Sequence, residues 1–430
     1  VHTALPLIPR EEMPAMPDTM APQRAASIES RASWTAACTT LAILSISYGA
    51  PLLVVVGLKP IQEALGTDRS VVALAGALVW VGTGLGGIMM GWLAERIGIR
   101  STVFIGAVMM AAGLALSSTG SVWALYVGHG VLIGLVGNGA IYAPLVVYVT
   151  RWFDRRRGSA LALISSGQYI AGIVWPSVFE RGIALYGWAT TMLAYSAVVV
   201  ALILPLTLLC LRPAPEAHPM HAHSTDPRKG AAVLGMPANL VLALICIAAF
   251  FCCIPMAVPA SHLVAFCSDL GIAPTHGAAM LSVLLACAFL SRQFWGMLAD
   301  RIGGLRAVMA GSACQAVAIG AFLLTQNEIG LFAVSAVFGL GFSGIIPSYV
   351  VAIRELFPAS EASWRVPTFF FLGMGGMAFG SWLAGELYDH YGFYAPAFGV
   401  GVLFNVANLA MIGFLVSRQR GQQRLAFAYR

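Results

Sequence analysis

The chain has 430 residues, 59% of them hydrophobic and only 10% charged, with a formal net charge of +6 at pH 7. A water-soluble domain is closer to half apolar and a quarter charged. This composition therefore excludes a soluble globular protein and places the chain in a lipid bilayer.

Residues 1–33, rich in Pro and charge, read as a disordered tail, with Met13, Met16 and Met20 as alternative starts inside it. No secretory leader with a cleavage site is visible, because the first apolar run is too long and continues into a multispan pattern. Apolar runs of about 20 residues, enough to cross a bilayer as helices, fall at 34–56, 71–93, 102–119, 122–150, 158–180, 188–211, 237–265, 276–299, 305–325, 328–352, 365–388 and 393–416. Residues 212–235, "RPAPEAHPMHAHSTDPRKGAAVLG", are the one long polar break between these runs. They divide the predicted spans into a first bundle (34–211) and a second (236–416), with a short tail at 417–430. His218, His221 and His223 could hold a metal, but the Pro, Ala and Ser around them read as a flexible linker. The 46 glycines suit close packing of membrane helices. The eight cysteines lie in or beside apolar segments without metal or disulfide spacing, so they are read as packing residues. There is no metal-ligand cluster, nucleophile motif or phosphate loop, and neither an enzyme nor a cofactor is expected.

Arginine and lysine set the orientation. With both termini cytoplasmic, the inner segments hold 20 of the 24 basic residues, leaving only Lys59, Arg69, Arg181 and Arg292 outside or within the membrane. This bias accounts for the net positive charge without a nucleic-acid partner. A cell membrane, bacterial inner membrane by this reading, is the expected location.

A short stretch occurs twice. "GWLAERIGIR" (91–100) returns as "GMLADRIGGLR" (296–306), so that Gly91 and Gly296, like Arg96 and Arg301, are 205 residues apart. The same offset carries "GLVGNGAI" (134–141) onto "GLGFSGII" (339–346) and "YGW" (186–188) onto "YGF" (391–393). The second six-helix half thus repeats the first. The repeated stretch lies between spans 2 and 3 and between spans 8 and 9, where its glycines are expected to permit a tight helix crossing. Its acid is expected to pair with an arginine or a helix N-terminus.

This motif, Gly-x-Leu-Ala-Asp/Glu-Arg-x-Gly, resembles the loop signature of the major facilitator superfamily, and the resemblance covers all twelve spans. It implies an all-α membrane protein of two pseudo-symmetric six-helix bundles that rock about a central site. It also implies a conformational gate formed by Gly91, Glu95, Arg96, Arg100, Gly296, Asp300, Arg301 and Arg306, none of which touches substrate. Three further stretches are similar to the monocarboxylate transporter and oxalate/formate antiporter group: "RWFDRRRGSALALISSGQ" (151–168), "SYGAP" (47–51) and "SRQFWGMLAD" (291–300). The Gly-Pro signature of drug/proton antiporters is absent from "GQYIAGIVWP" (167–176), and Gly130 stands about where sugar and drug members carry an arginine.

Arg292 is the most informative residue. It lies about 12 Å from Asp300 by helical rise, at a depth where insertion costs roughly 2.5–3.5 kcal/mol unless the charge faces a cavity or a partner. Its planar fork suits a carboxylate; the alternatives are snorkelling to the inner interface or pairing with Asp300. Asn138 and Tyr142 share a face of span 4. With Tyr349 in span 10 and Tyr48 in span 1 they are either cavity residues or, for the aromatics, packing residues. His129 is expected to pack on a neighbouring helix, and His262 and Glu386 to sit at the outer rim. Two departures from the group stand out: Leu52 replaces its span 1 lysine and Ala288 its span 8 aspartate, while 366–388 holds no lysine or arginine. The expected function is transport of a small organic anion, most simply a monocarboxylate, by a monomer that couples to protons or a counter-anion. The alternatives are export of neutral or amphipathic compounds and a non-transporting membrane sensor.

Overall fold

The computed structural model describes residues 29–153, 156–213, 232–358 and 361–428. Among them, twelve helices are long and apolar enough to cross a membrane. They are α1 (Arg31–Val56), α2 (Arg69–Ile97), α3 (Ile99–Ser117), α4 (Val122–Thr150), α5 (Ser159–Tyr186), α6 (Trp188–Cys210), α7 (Ala238–Asp269), α8 (Pro274–Ile302), α9 (Gly304–Leu324), α10 (Glu328–Leu356), α11 (Trp364–Tyr391) and α12 (Ala395–Gln422). Each corresponds to one predicted span. α5 and α12 run past their predicted ends, because a helix continues as an amphipathic turn or two once it leaves the hydrocarbon. The tail 1–28 and most of the linker, with His218, His221 and His223, lie outside the described residues. At the end of the linker, Val233 and Met236 pair in an isolated antiparallel bridge.

The repeated glycines are explained by backbone geometry. Gly98 ends α2 and starts α3 at φ 84°, and Gly303 does the same between α8 and α9 at φ 85°. Gly187 and Gly392, from the third repeated stretch, both have φ 80°. A Cβ is disfavoured in this region, so glycine allows one helix to break straight into the next. The repeat extends to packing. Gly134 of α4 lies against Val79 of α2, and Gly339 of α10 against Leu284 of α8, and these four positions are related by the same offset of 205. Small residues at such crossings let the backbones approach closely, and in a bilayer that packing drives helix association.

Five of the twelve helices depart from regular winding: α5 breaks at Ser166, α6 ends in a π-helical turn over Leu206–Cys210, α10 breaks at Ser343 and Gly344, and α1 and α4 depart as well. α1 is interrupted at Tyr48, between the segments Arg31–Ser47 and Gly49–Val56. Val127–Asn138 within α4 winds as a π-helix. The apolar core forms two clusters, one built on residues such as Leu53, Val103 and Leu145, the other on Leu284, Phe322 and Phe398. Trp123, Leu209, Leu324 and Ile329 are exposed, as expected of side chains that face lipid tails. The two halves meet mainly through α2 on α11 and α5 on α8, with the second segment of α1 on α7.

Candidate functional site

Arg292 and three tyrosines from separate helices converge where α5 meets α8. Arg292 Nη1 of α8 donates to the hydroxyl of Tyr169 on α5 at 2.9 Å, and its guanidinium carbon lies 5.4 Å from the centre of that ring. Tyr142 of α4 is within electrostatic reach of both Arg292 and Tyr169. Tyr48, at the break in α1, meets the Tyr142 ring edge to face at 5.9 Å. Arg292 is half-buried and pairs with no carboxylate among the described residues. It bonds to Tyr169 rather than to Asp300. The result is one half-buried cation bonded to a phenol, with two further tyrosines nearby, an arrangement suited to a single anionic group with an apolar remainder.

Of the other sequence candidates, Asn138 is buried one turn from Tyr142 and no described hydrogen bond links it to the cluster. Tyr349 is not brought there. Its ring packs on Phe369 at 5.2 Å, and its hydroxyl donates to Asn408 Oδ1 at 2.7 Å. Asn408 Nδ2 in turn donates to Ser312 Oγ at 2.9 Å, so Tyr349 belongs to a polar network inside the second bundle. His129 shares a hydrogen bond with Ser117 of α3 at 2.9 Å, on a neighbouring helix as expected. Tyr169 was not singled out from sequence; an aromatic inside an apolar helix gives no sign of which way it faces.

The conformation is asymmetric about this cluster. At the arginine-rich end, Glu95, Arg96, Asp300 and Arg301 are exposed, and neither acid forms an ion pair among the described residues. Arg96 stacks on its neighbour Trp92 at 3.8 Å. A Cβ on Gly91 or Gly296 would meet nothing within 4 Å, so the tight crossing expected of these two glycines is not made in this conformation. The motif's later glycines, at the helix breaks, carry its backbone requirement instead. Arg100 Nε donates to the Leu211 carbonyl, tying α3 to the end of α6. Arg306 is half-buried near the start of α9, whose Gly304 N–H is capped by Glu355 at 3.0 Å.

The opposite end is shut by bonds between the bundles. Arg69, with its side chain 3% exposed, opens α2 and pairs with Asp269 at the end of α7. It also donates to Gln62 at 2.9 Å and to the Tyr394 hydroxyl at 3.1 Å, and lies 3.6 Å over the Tyr388 ring. Lys59 adds a second contact to Asp269 at 3.1 Å. Asp389 of α11 accepts from the backbone N–H groups of Arg69 and Ser70 at 2.8 and 2.7 Å, which caps α2 from the other bundle. His262, expected at the rim, is fully buried here. Its Nε2 lies 2.8 Å from the Ser381 carbonyl, which can only accept, so Nδ1 is left to accept from the Tyr394 hydroxyl at 2.9 Å. Glu386 is exposed. From this end the inter-bundle contacts run through Ser70 on Gly385 to Gly84 against Phe371 and Met374, and through Gly172 on Leu285.

Helices of this number, repeated as two bundles that meet around a polar cluster and are shut at one end, define a membrane transporter. The sequence model of the Major Facilitator Superfamily matches residues 35–266 and 240–427, and the chain belongs to that family. It is 25% identical over 344 residues to the MFS-type transporter pynF of Aspergillus niger, covering 78% of this chain and 76% of that one. Monocarboxylate transporter 13 of Bos taurus is also 25% identical, over 331 residues and 74% of each chain. Among solved structures, a bacterial homologue of the human lysosomal transporter Spinster, in an inward-facing and unoccupied conformation, superposes with a TM-score of 0.68. That structure shares 13% identity, with 91% of this chain and 96% of the other covered.

Proposed function

We propose that the chain is a secondary transporter of a small organic anion, a monocarboxylate, held by Arg292 between the two bundles. The observation that carries this reading is a guanidinium at the bundle interface with a phenol for a partner and no described carboxylate. Such a cation is costly unless an anion completes it, and one cation suits a monoanion. The similarity to monocarboxylate transporter 13 supports the substrate class. Tyr169 would hold the guanidinium until substrate arrives, with Tyr48 and Tyr142 forming the wall, while Asn138 remains a candidate for that wall. The arginine-rich end is then cytoplasmic, the protein sits in a cell membrane, and the conformation is inward-open. Uptake of labelled carboxylates and their neutral amides into proteoliposomes tests the reading. Transport of amides and amphipathic compounds in preference to acids would favour a drug-type exporter instead.

The repeated loop supports a gate. Glu95→Gln or Asp300→Asn is expected to slow transport severalfold and enlarge the inward-open population, since these acids have partners to gain only when that end closes. Binding affinity should stay within a fewfold. A variant that loses binding while its state populations are normal would count against a gating role.

Coupling is the next expectation. The described carboxylates within the spans lie toward the helix ends, with Glu180 of α5 the nearest to the interior, and none bonds to the Arg292 cluster. Proton coupling should therefore be weak or carried by the substrate, or the protein should exchange anions. Strong accumulation driven by an acid exterior, abolished by Glu180→Gln alone, would show a proton site on the protein.

A further inference from the structure

We propose that the arginine-rich end of the first bundle carries a second binding site, for a phosphate-bearing anion, and that the inner-leaflet lipid headgroup is its source. The reading depends on the chain spanning a bilayer and is independent of the assignment of Arg292. A cavity of about 210 Å³ opens between the start of α1 and the ends of α4 and α6, lined by Arg31, Thr35, Tyr148, Trp152, Cys210 and Arg212. A single water needs only roughly 10–15 Å³ by the same measure, so a phosphodiester has room.

The walls are built for an anion. Arg31 and Arg212 are exposed, and among the described residues neither is ion-paired. Glu29, the described carboxylate nearest in sequence, accepts from the Arg156 backbone N–H at 2.5 Å. The Tyr148 hydroxyl donates to the Arg212 carbonyl at 2.9 Å, and Arg100 donates to the Leu211 carbonyl. These two bonds fix the end of α6, hold Arg212 at the mouth and bring a third guanidinium close. Trp152 and Tyr148 line the same cavity and pack edge to face at 6.1 Å. Trp and Tyr side chains mark headgroup depth, and basic pockets between membrane helices on the cytoplasmic side suit anionic headgroups. The cavity lies within one bundle, so a bound headgroup would move with that bundle as the two rock.

The test uses purified full-length protein in neutral detergent, titrated with phosphatidylglycerol, phosphatidylcholine and inorganic phosphate. Binding is read by native mass spectrometry and by melting temperature. Phosphatidylglycerol is expected to bind in preference to phosphatidylcholine. The pair Arg31→Gln and Arg212→Gln should weaken it about 30-fold, at roughly fivefold per arginine. Arg31→Lys with Arg212→Lys should retain most of the affinity. Thr35→Trp, which fills the cavity and keeps both charges, should lose binding as well. Saturable binding of inorganic phosphate that depends on the same arginines, without preference for phosphatidylglycerol, would uphold phosphate recognition and overturn the lipid as its source. The site is refuted if the double Gln variant and Thr35→Trp both bind phosphatidylglycerol like wild type. It is refuted equally if Arg418→Gln with Arg420→Gln, which removes as much charge elsewhere at that end, costs as much affinity.

Discussion

Arg292→Lys is expected to lose carboxylate binding almost as completely as Arg292→Ala, by 30-fold or more in Kd. Removing one partner of a desolvated charge pair costs about 2–5 kcal/mol, and lysine does not restore the pair because it offers a point charge in place of a two-pronged donor. The geometry makes the point specific. Arg292 Nη1 is held at 2.9 Å by Tyr169, which on the proposed reading helps to orient the fork for a carboxylate. Tyr169→Phe should therefore weaken binding by a smaller factor, about fivefold, in keeping with the loss of one hydrogen bond of about 1 kcal/mol. A neutral amide, if carried at all, should be nearly indifferent to both changes. The measurement is equilibrium binding to purified, folded protein. Wild-type affinity for the acid in Arg292→Ala would remove the clamp and leave Arg292 a structural residue bridging α5 and α8.

Much of the architecture was legible because charge is so scarce in this chain. A residue such as Arg292 stands out within an apolar run, and the twelve runs and their repeat at 205 can be read from the sequence alone. The reason for the repeat was only half legible. Glycine spacing suggested helix crossings at Gly91 and Gly296, whereas the backbone requirement falls at Gly98 and Gly303 with their positive φ.

Side-chain direction was less legible, for a physical reason. A helix buried in a bundle and bathed in lipid is apolar on every face, so periodicity does not say which face meets the centre. Tyr349 and Tyr169 are both aromatics in such helices, yet one turns into the second bundle and the other meets Arg292. The π-helical winding of Val127–Asn138 also breaks the 3.6-residue geometry by which a shared face is read from spacing in that stretch. The contacts that shut one end were the least accessible, because Asp269 and Asp389 lie 200 and 320 residues from Arg69 in sequence. One signal was present: two of the few basic residues left off the inner side, Lys59 and Arg69, are matched by acids just past spans 7 and 11.

Asp269→Asn is expected to shift the protein away from the conformation seen here by about 3 kcal/mol, or roughly 150-fold in the ratio of states. Arg69 is almost fully buried and Asp269 is 19% exposed, so their attraction is little screened by solvent. The substitution leaves the Arg69 guanidinium with Gln62, Tyr394 and Tyr388 but without its counter-charge, and Lys59 loses its partner in the same step. Apart from the bond to Gln62, which lies within the first bundle, these contacts join α2 and its approach to the second bundle, and they must part when this end opens. The cost therefore falls on the shut state and not on the fold as a whole. Asp389 still caps α2 in the variant, so Asp269→Asn with Asp389→Asn should shift the balance further than either change alone. Spin labels at positions 63 and 386, on opposite bundles at the shut end, would report the opening as a longer distance. Labels at 97 and 302, at the arginine-rich ends of α2 and α8, should move closer together in a second sample. Unchanged distance distributions in Asp269→Asn would show that apolar packing of α2 on α11 holds the end shut without help from charge. Restoration of the wild-type distribution by exchanging the pair, Arg69→Asp with Asp269→Arg, would tie the effect to the ion pair itself.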